Sequence, residues 1–446
     1  MKTWLRKKIA IVPFCLSVTL LAACSGGGGG GTPPQEGTAN KEAEKKEPIE
    51  LVFASHIGLG QERFDKEIGN PIREKFPHIT PKYIERGQGT NLPDLVAAGT
   101  VVDITWYSTT SFSNTIQALG LDYDMTELAK KYNYDMNRFY PQLLDTLKYF
   151  TDGKGIYGIP KEMSQSVMYY NKDIFDKFGV PYPKDGMTWD DAYDLAKLMT
   201  RSMDGVVYRG LSSAHTMIGL NQMSLSPFDP KQDKANVNTD GWKTIMSTME
   251  RIYKIPGNNR PTNTRSATPE IEQFEKQKNV AMTTLGWGRQ INFPPDLNWD
   301  IVSLPTFKEK PKTGVQAFPI YWSVTSNSKY KDQAFEVIMY LMSDERMMEA
   351  SKRGEEVPVN KPEIKKAFGT DAPALKGKNL QALFVNNVAP MEPMRAPGLN
   401  SGLRQDALNL VNESFTDMLL NNVDVNTALR TAEEKINQKF EEAKKK

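Results

Sequence analysis

The sequence predicts an α/β protein, and three observations predict it. From Ile49 onward, apolar runs of strand length alternate with helical patterns: IELVFAS, then Gln61 to Phe76, Thr80 to Glu85, Leu92 to Ala98, and VVDITWY from Val101 to Tyr107. Strand, helix, strand, helix, strand is the order of a parallel sheet with helices on its faces. The 446-residue chain leaves room for two or three domains with packed cores. Its only cysteines are Cys15 and Cys24, the first of them inside a leader, so packing rather than disulfides must hold the fold.

The leader comes first. Lys2, Arg6, Lys7 and Lys8 precede an apolar run from Ile9 to Leu21 and the small-residue ending LAAC at Leu21 to Cys24. That order is a secretory signal over residues 1–23, and the run is too short for a permanent membrane-spanning helix. LAAC resembles the lipobox of bacterial lipoproteins, which implies cleavage before Cys24 and a lipid-bearing N-terminus there. A plain secretion signal with an incidental Cys24 is the alternative, and the tether Gly26 to Gly31 speaks against it. One acyl chain holds a membrane only marginally, so a diacyl or triacyl anchor, palmitate among its chains, is expected. Residues 24–48 are Gly, Pro, Thr, Lys and Glu without apolar periodicity, a disordered spacer.

The structured body starts at Ile49. The helix from Gln61 is expected to break at Pro71 and close at Pro77. Ligands in open α/β sheets bind beyond the carboxyl ends of strands, which here points to Trp106, Tyr107 and Thr110. GIYGIP at Gly155 to Pro160 reads as a tight turn before the strand MSQSVMYYN. Thr188 with Asp191 three residues on signals a capped helix, and Trp189, Ala192, Ala196 and Met199 repeat at helical spacing, so Trp189 belongs to the core. The middle of the chain reads as helical patterns with polar loops at Ser224 to Asp240 and Pro256 to Thr268. FEKQKNVAMTTLGWG runs helix, strand, then Trp287 between glycines, and WDIVSLP from Trp299 is another strand. A strand at Tyr321 to Thr325, a helix with Ala334, Val337, Ile338 and Leu341 on one face, and helices near Gly402 to Leu420 and Asn426 to Glu442 complete it.

Segments spread over nearly the whole mature chain resemble the carbohydrate-associated, maltose-binding-protein-like family 1 of solute-binding proteins serving ATP-binding-cassette (ABC) importers. They are LPDLVAAGTVVDITW, YYNKDIFDKFGVPYP with TWDDAYDLAKLM, NVAMTTLGWG, VSLPTF with YWSVTSNSKYKDQAFEVIMYLMS, and NTALRTAEEKINQKF. The resemblance implies a two-lobed, periplasmic-binding-protein-like type 2 fold with a ligand cleft between lobes. One lobe would comprise residues 49–160 plus 317–361 and the other 161–316 plus 362–446, with crossings near Lys161 to Ser166, Gly314 to Phe318 and Pro362 to Phe368. Hinge closure around a solute would signal loading to the permease. A monomer is expected, held on the extracytoplasmic face of the membrane through Cys24.

Sugars offer apolar CH faces and hydroxyl edges, so their sites need aromatic planes beside dense polar groups. Position in the resemblance points first to Tyr107 and Trp287, the latter exposed by its Gly-Trp-Gly setting. Replacing Trp287 with Ala is then expected to weaken binding by about an order of magnitude or more with the melting temperature nearly unchanged. Trp106 either touches ligand or is a buried strand residue; Trp322 either lines the cleft or packs within its lobe. The first crossing offers Glu162, Ser164 and Gln165, with serine at position 164 where maltose-binding-type relatives carry glutamate, so Glu162 would supply any acidic contact. Arg289 either forks onto hydroxyls or a uronate carboxylate, or is a surface arginine. Arg395 and Asn400 are further candidates.

Other classes leave little trace. A formal charge of +2 gives no footprint for nucleic acid. His56, His78 and His215 lack HExxH spacing, and GxSxG and a P-loop are absent, so neither an enzyme nor a cofactor is expected. A glycosidase would need two carboxylates about 5 to 10 Å apart, which spacing in sequence cannot exclude. A peptide or polyamine solute and a non-transport surface lipoprotein stay open; a metal does not, for want of soft ligands.

Overall fold

Glu162 and Ser166, four positions apart in sequence, end one sheet and begin another. The computed structural model describes residues 47–212, 214–260 and 267–445; the leader, the lipidation candidate Cys24 and the spacer up to residue 46 lie outside them. Among the described residues, twelve strands run in chain order: β1 (Ile49–Ala54), β2 (Ile79–Ile84), β3 (Ile104–Ser108), β4 (Ile159–Glu162), β5 (Ser166–Asn171), β6 (Arg201–Met203), β7 (Val206–Ser212), β8 (Val280–Gly286), β9 (Trp299–Val302), β10 (Thr313–Gln316), β11 (Ile320–Val324) and β12 (Asn387–Ala389).

The first sheet has the order β2-β1-β3-β11-β4, with β1 parallel to β2 and β3, and β11 antiparallel to β3 and β4. The second has the order β6-β7-β8-β5-β9, and β10 pairs with β12 in a two-stranded ladder. The protein is thus an α/β molecule of two lobes. The chain passes from the first sheet to the second at residues 163–165 and back at 317–319. It returns once more after the helix Pro362–Lys366, between Ile364, packed with the first lobe, and Phe368, packed with the second.

Strand periodicity explains the first lobe. Trp106 and Trp322 face each other across β3 and β11 on one side of the sheet, and Tyr107 and Tyr321 on the other. Helices cover both sides, so all four rings are buried. In the second lobe Asn171 ends β5 and caps the helix Lys172–Phe178 by accepting from the Asp173 N–H at 3.0 Å, and Gly179 closes that helix. The YNKD turn is therefore a strand-to-helix device. Thr188 and Asp191 form the full capping box of the helix Trp189–Met199, and Trp189 is core, its indole donating to Gln222 Oε1 at 2.8 Å.

Three elements differ from expectation. The helix from Gln61 is not broken at Pro71: a wide π turn over Asp65–Gly69 runs into Asn70–Lys75, and the Glu67 carbonyl, four residues before the proline, accepts from Arg346 at 2.8 Å instead. GIYGIP does not end as a turn, because Ile159 and Pro160 open β4 at the sheet edge, where proline is tolerated. The supposedly helical middle contains β7, an inner strand of the second sheet.

Candidate functional site

A cavity of about 1020 Å³ opens between the lobes and takes lining residues from both. Its floor is the first crossing, Glu162, Met163 and Ser164, with Phe318 from the second. The first-lobe wall is charged: Arg63 and Glu67 from the helical segment after β1, and Arg353, Glu355 and Glu356 from the turn after the helix Asp344–Lys352. The second-lobe wall is aromatic and aliphatic, with Trp287, Phe293, Leu297, Trp299 and Leu375, and it carries Lys378.

The charges are largely paired with one another. Arg63 Nε lies 2.8 Å from Glu67 Oε1, and Arg353 forks onto Glu355 at 2.8 and 3.3 Å. Lys161 Nζ sits 3.3 Å from Glu162. Lys378 lies over the Trp299 ring, 4.6 Å from its centre, and donates to the Trp299 carbonyl; burial pulls its ammonium below the ordinary lysine value. In the second-lobe core, Tyr169 lies parallel to Trp287 and edge-on to Phe293, which meets Trp299 edge-on in turn, so the wall of Trp287, Phe293 and Trp299 opposite the paired ions is backed by packed rings. One wall can therefore hydrogen-bond hydroxyls while the other covers an apolar face.

The structure brings Trp287, Glu162 and Ser164 to this cavity. Trp287 is nonetheless only 7% exposed. Gly288 takes a left-handed φ of 97° to turn the chain, and the indole folds back, donating from Nε1 to the Gly354 carbonyl at 2.8 Å. Gly288 thus makes a turn, while Gly286 ends β8, and neither projects the ring. Gln165 lies behind the floor, its backbone N–H donating to Glu356 at 3.0 Å and its carbonyl accepting from Trp287 N–H at 2.7 Å.

Other expected contacts are not brought there. Tyr107 is fully buried, its hydroxyl donating to the Tyr157 carbonyl at 2.7 Å between the rings of Phe112 and Tyr321. Trp106 is buried against Tyr83 and Trp322. Trp322 is 2% exposed, lies under the Lys161 ammonium and lines a pocket of about 70 Å³ in the first lobe. Arg289 does not line the cavity; Glu275 occupies its guanidinium at 2.5 and 2.8 Å. Arg395 is buried over Phe228 and donates to the carbonyls of Asn400 and Gln232 and to Asp233, so with Asn400 it anchors the loop before the closing helices.

Two features were missed in the sequence. Beyond the carboxyl ends of β1 and β3, His56 Nε2 lies 2.6 Å from Ser111 Oγ, and Ser108 Oγ lies 3.0 and 3.1 Å from the Thr110 and Ser111 hydroxyls. Burial first, then the Arg86 charge, holds His56 below the ordinary histidine value, so it is neutral at pH 7. Thr110 lines a pocket of about 30 Å³ that shares Phe318 with the large cavity. The second feature is Glu356, 9% exposed, whose carboxyl is pushed up to about 8 by burial, helped by the Glu162 charge and opposed by the Gln165 N–H. Its signal was an acidic pair, GEEVP, at a helix end.

With two lobes around a shared cavity established, likeness to known proteins carries weight. Residues 61–348 match the sequence family of bacterial extracellular solute-binding proteins. The chain belongs to this family. Over 291 residues the solute-binding protein is 28% identical to the arabinooligosaccharide-binding protein of Bacillus subtilis, covering 61% of this chain and 64% of that one. It is 27% identical to a putative binding protein of Brucella abortus, over 48% of this chain and 53% of that one. The matches thus span less than two thirds of these relatives.

Solved structures share the fold of the solute-binding protein: a sugar transporter from Rhizobium etli in an open conformation has a TM-score of 0.70 at 20% identity, covering 87% of this chain and 99% of that one. The sugar-binding protein MalE of Xanthomonas citri gives 0.67 at 15%, covering 89% and 98%. The family and these neighbours are binding proteins rather than enzymes. Among the described residues no helix is long and apolar enough to cross a membrane, and no group of three or more His, Cys, Asp or Glu could hold a metal ion.

Proposed function

We propose that the mature protein is anchored by lipid at Cys24 outside the cytoplasmic membrane, captures an uncharged oligosaccharide between its lobes, and delivers it to the permease of an ABC importer. In this reading the leader 1–23 is removed, residues 24–48 tether the body, and the lobes are residues 49–160 plus 317–361 and 161–316 plus 362–446. The observation that carries the proposal is the cavity itself: about 1020 Å³, one wall aromatic and the other set with ions already paired. That volume is at the upper end of the ~300 to 1000 Å³ range of small-molecule sites, which favours a chain of sugars over a single one. Paired ions favour a neutral ligand, since Arg289, the cation that could have met a uronate, is held by Glu275 outside the cavity. The arabinooligosaccharide-binding relative supports the same solute class.

The test is a thermal-shift screen with arabino-, xylo-, manno- and malto-oligosaccharides, and with galacturonate oligomers as the charged comparison. A neutral oligomer at a hundred times its Kd should stabilise by about 2.7 kcal/mol and shrink the radius of gyration in solution scattering. Stabilisation by peptides or polyamines alone, binding without compaction, or release of reducing ends at a hydrolase's rate would each overturn the proposal.

A further inference from the structure

A closed ring of hydrogen bonds crosses between the lobes at the back of the cavity. Trp287, at the end of β8, donates its backbone N–H to the Gln165 carbonyl at 2.7 Å and its indole N–H to the Gly354 carbonyl at 2.8 Å. Gln165, in the first crossing, donates its own N–H to Glu356 Oε2 at 3.0 Å. Gly354 and Glu356 belong to one short turn whose continuation, Val357 and Val359, packs into the first lobe. Gly354 has φ 82°, and a Cβ there would overlap the Leu375 side chain, so the turn is built for close approach to the second lobe. The only side-chain carboxyl in this ring is Glu356.

We propose that Glu356 is a positioning residue of the cavity: through Gln165 and Trp287 it fixes the first lobe against the second, as a clasp that ligand-driven hinge motion must work with or release. The proposal rests on the cavity's being the ligand site only for that last consequence; the clasp exists without any ligand. The groups facing Glu356 are Glu162 and Lys161 from β4, Tyr140 ahead of the helix Pro141–Lys148, Tyr169 from β5, Glu67 from the helical segment after β1, Arg346 from the helix Asp344–Lys352, and Arg353 and Glu355 in its own turn. The nearby cations Arg353 and Lys161 are committed to Glu355 and Glu162. Burial therefore favours the neutral acid in the clasped state, and the charged form favours release into water.

The experiment uses the ligand-free mature protein and amide hydrogen exchange read at the Gln165 and Trp287 peptides, as protection factors that correct for the intrinsic pH dependence. If release exposes Glu356 fully, shifting its titration from about 8 to the ordinary 4.5, wild-type protection at both peptides should fall by up to about a hundredfold between pH 6 and pH 9. Glu356→Gln, which keeps an acceptor for the Gln165 N–H, should retain the pH 6 protection and lose the pH dependence. Glu356→Ala should lose protection at both peptides while those of β1 and β3 stay protected. Unchanged protection in Glu356→Ala, or a Glu356→Gln profile that follows wild type, would overturn the clasp. Since no sugar is added, that result would leave the oligosaccharide reading standing or falling on its own screen.

Discussion

Replacing Trp287 with Ala should destabilise the protein, not merely empty a binding platform. In the folded state the ring is 7% exposed, packed with Tyr169 and Phe368, and tied by its N–H to Gly354. A tryptophan buries about 150 to 250 Å², which at about 25 cal/mol per Å² is about 4 to 6 kcal/mol, an upper bound because the unfolded chain already hides part of that area. Buried Trp to Ala changes cost about 3 to 5 kcal/mol in practice. The Gly354 carbonyl can be rehydrated from the adjacent cavity, so its loss adds little. For a folding unit of lobe size, about 2 °C per kcal/mol converts the range into a melting-temperature drop of about 6 °C or more. Circular dichroism melts of wild type, Trp287→Ala and Trp287→Phe check it, with the Phe variant, which keeps a ring but not the N–H, falling between. A Trp287→Ala melt within about 1 °C of wild type would refute the packing argument and restore the solvent-facing platform that the Gly-Trp-Gly setting suggests.

Arg404 and Glu392 form a buried pair that also holds Gln316, so Arg404→Ala should cost about 3 to 5 kcal/mol by leaving a carboxylate unpaired, measured by urea denaturation. Glu356 is raised from 4.5 to about 8 in the folded protein, so the native state holds the extra proton between those values. Stability should fall as pH rises from about 4.5 to about 8 and then level off, by at most about 5 kcal/mol. Glu356→Gln should remove that slope in denaturation curves taken across the window. Thr188→Ala removes one half of a capping box and should cost about 1 kcal/mol in the same assay.

Local chemistry made much of the fold legible. Caps such as Asn171 and Thr188, and strands rich in β-branched and aromatic residues, announce themselves within a few positions. β7 did not, for two physical reasons. Val206 and Val207 at its start are exposed near the sheet edge, and Arg209, where an inner strand should be apolar, is buried. That arginine is tolerated because Glu270, Gln273 and the Asn258 carbonyl, all distant in sequence, accept from it. Tyr107 misled in the opposite direction. Beyond the end of a parallel strand an aromatic is a ligand candidate, but helices cover both faces of this sheet, and β11 places Tyr321 directly against it.

The same distance problem governs the arginines of the site. Arg289 sits two residues from Trp287 in sequence, yet Glu275, fourteen positions away, accepts from its Nε and Nη2, while Arg63 and Arg353, far from any aromatic motif, line the cavity. Each of those two already has a carboxylate partner in its own segment. An incoming anion would have to break such a pair, leaving a carboxylate uncompensated near Glu162, whereas a hydroxyl can accept from the guanidinium edge and donate to the carboxylate without separating them. If the cavity is the ligand site as proposed, a wall of paired ions would discriminate by charge as well as by shape, and galacturonate oligomers should bind more weakly than neutral oligomers of equal length, by an amount that shrinks as salt is added.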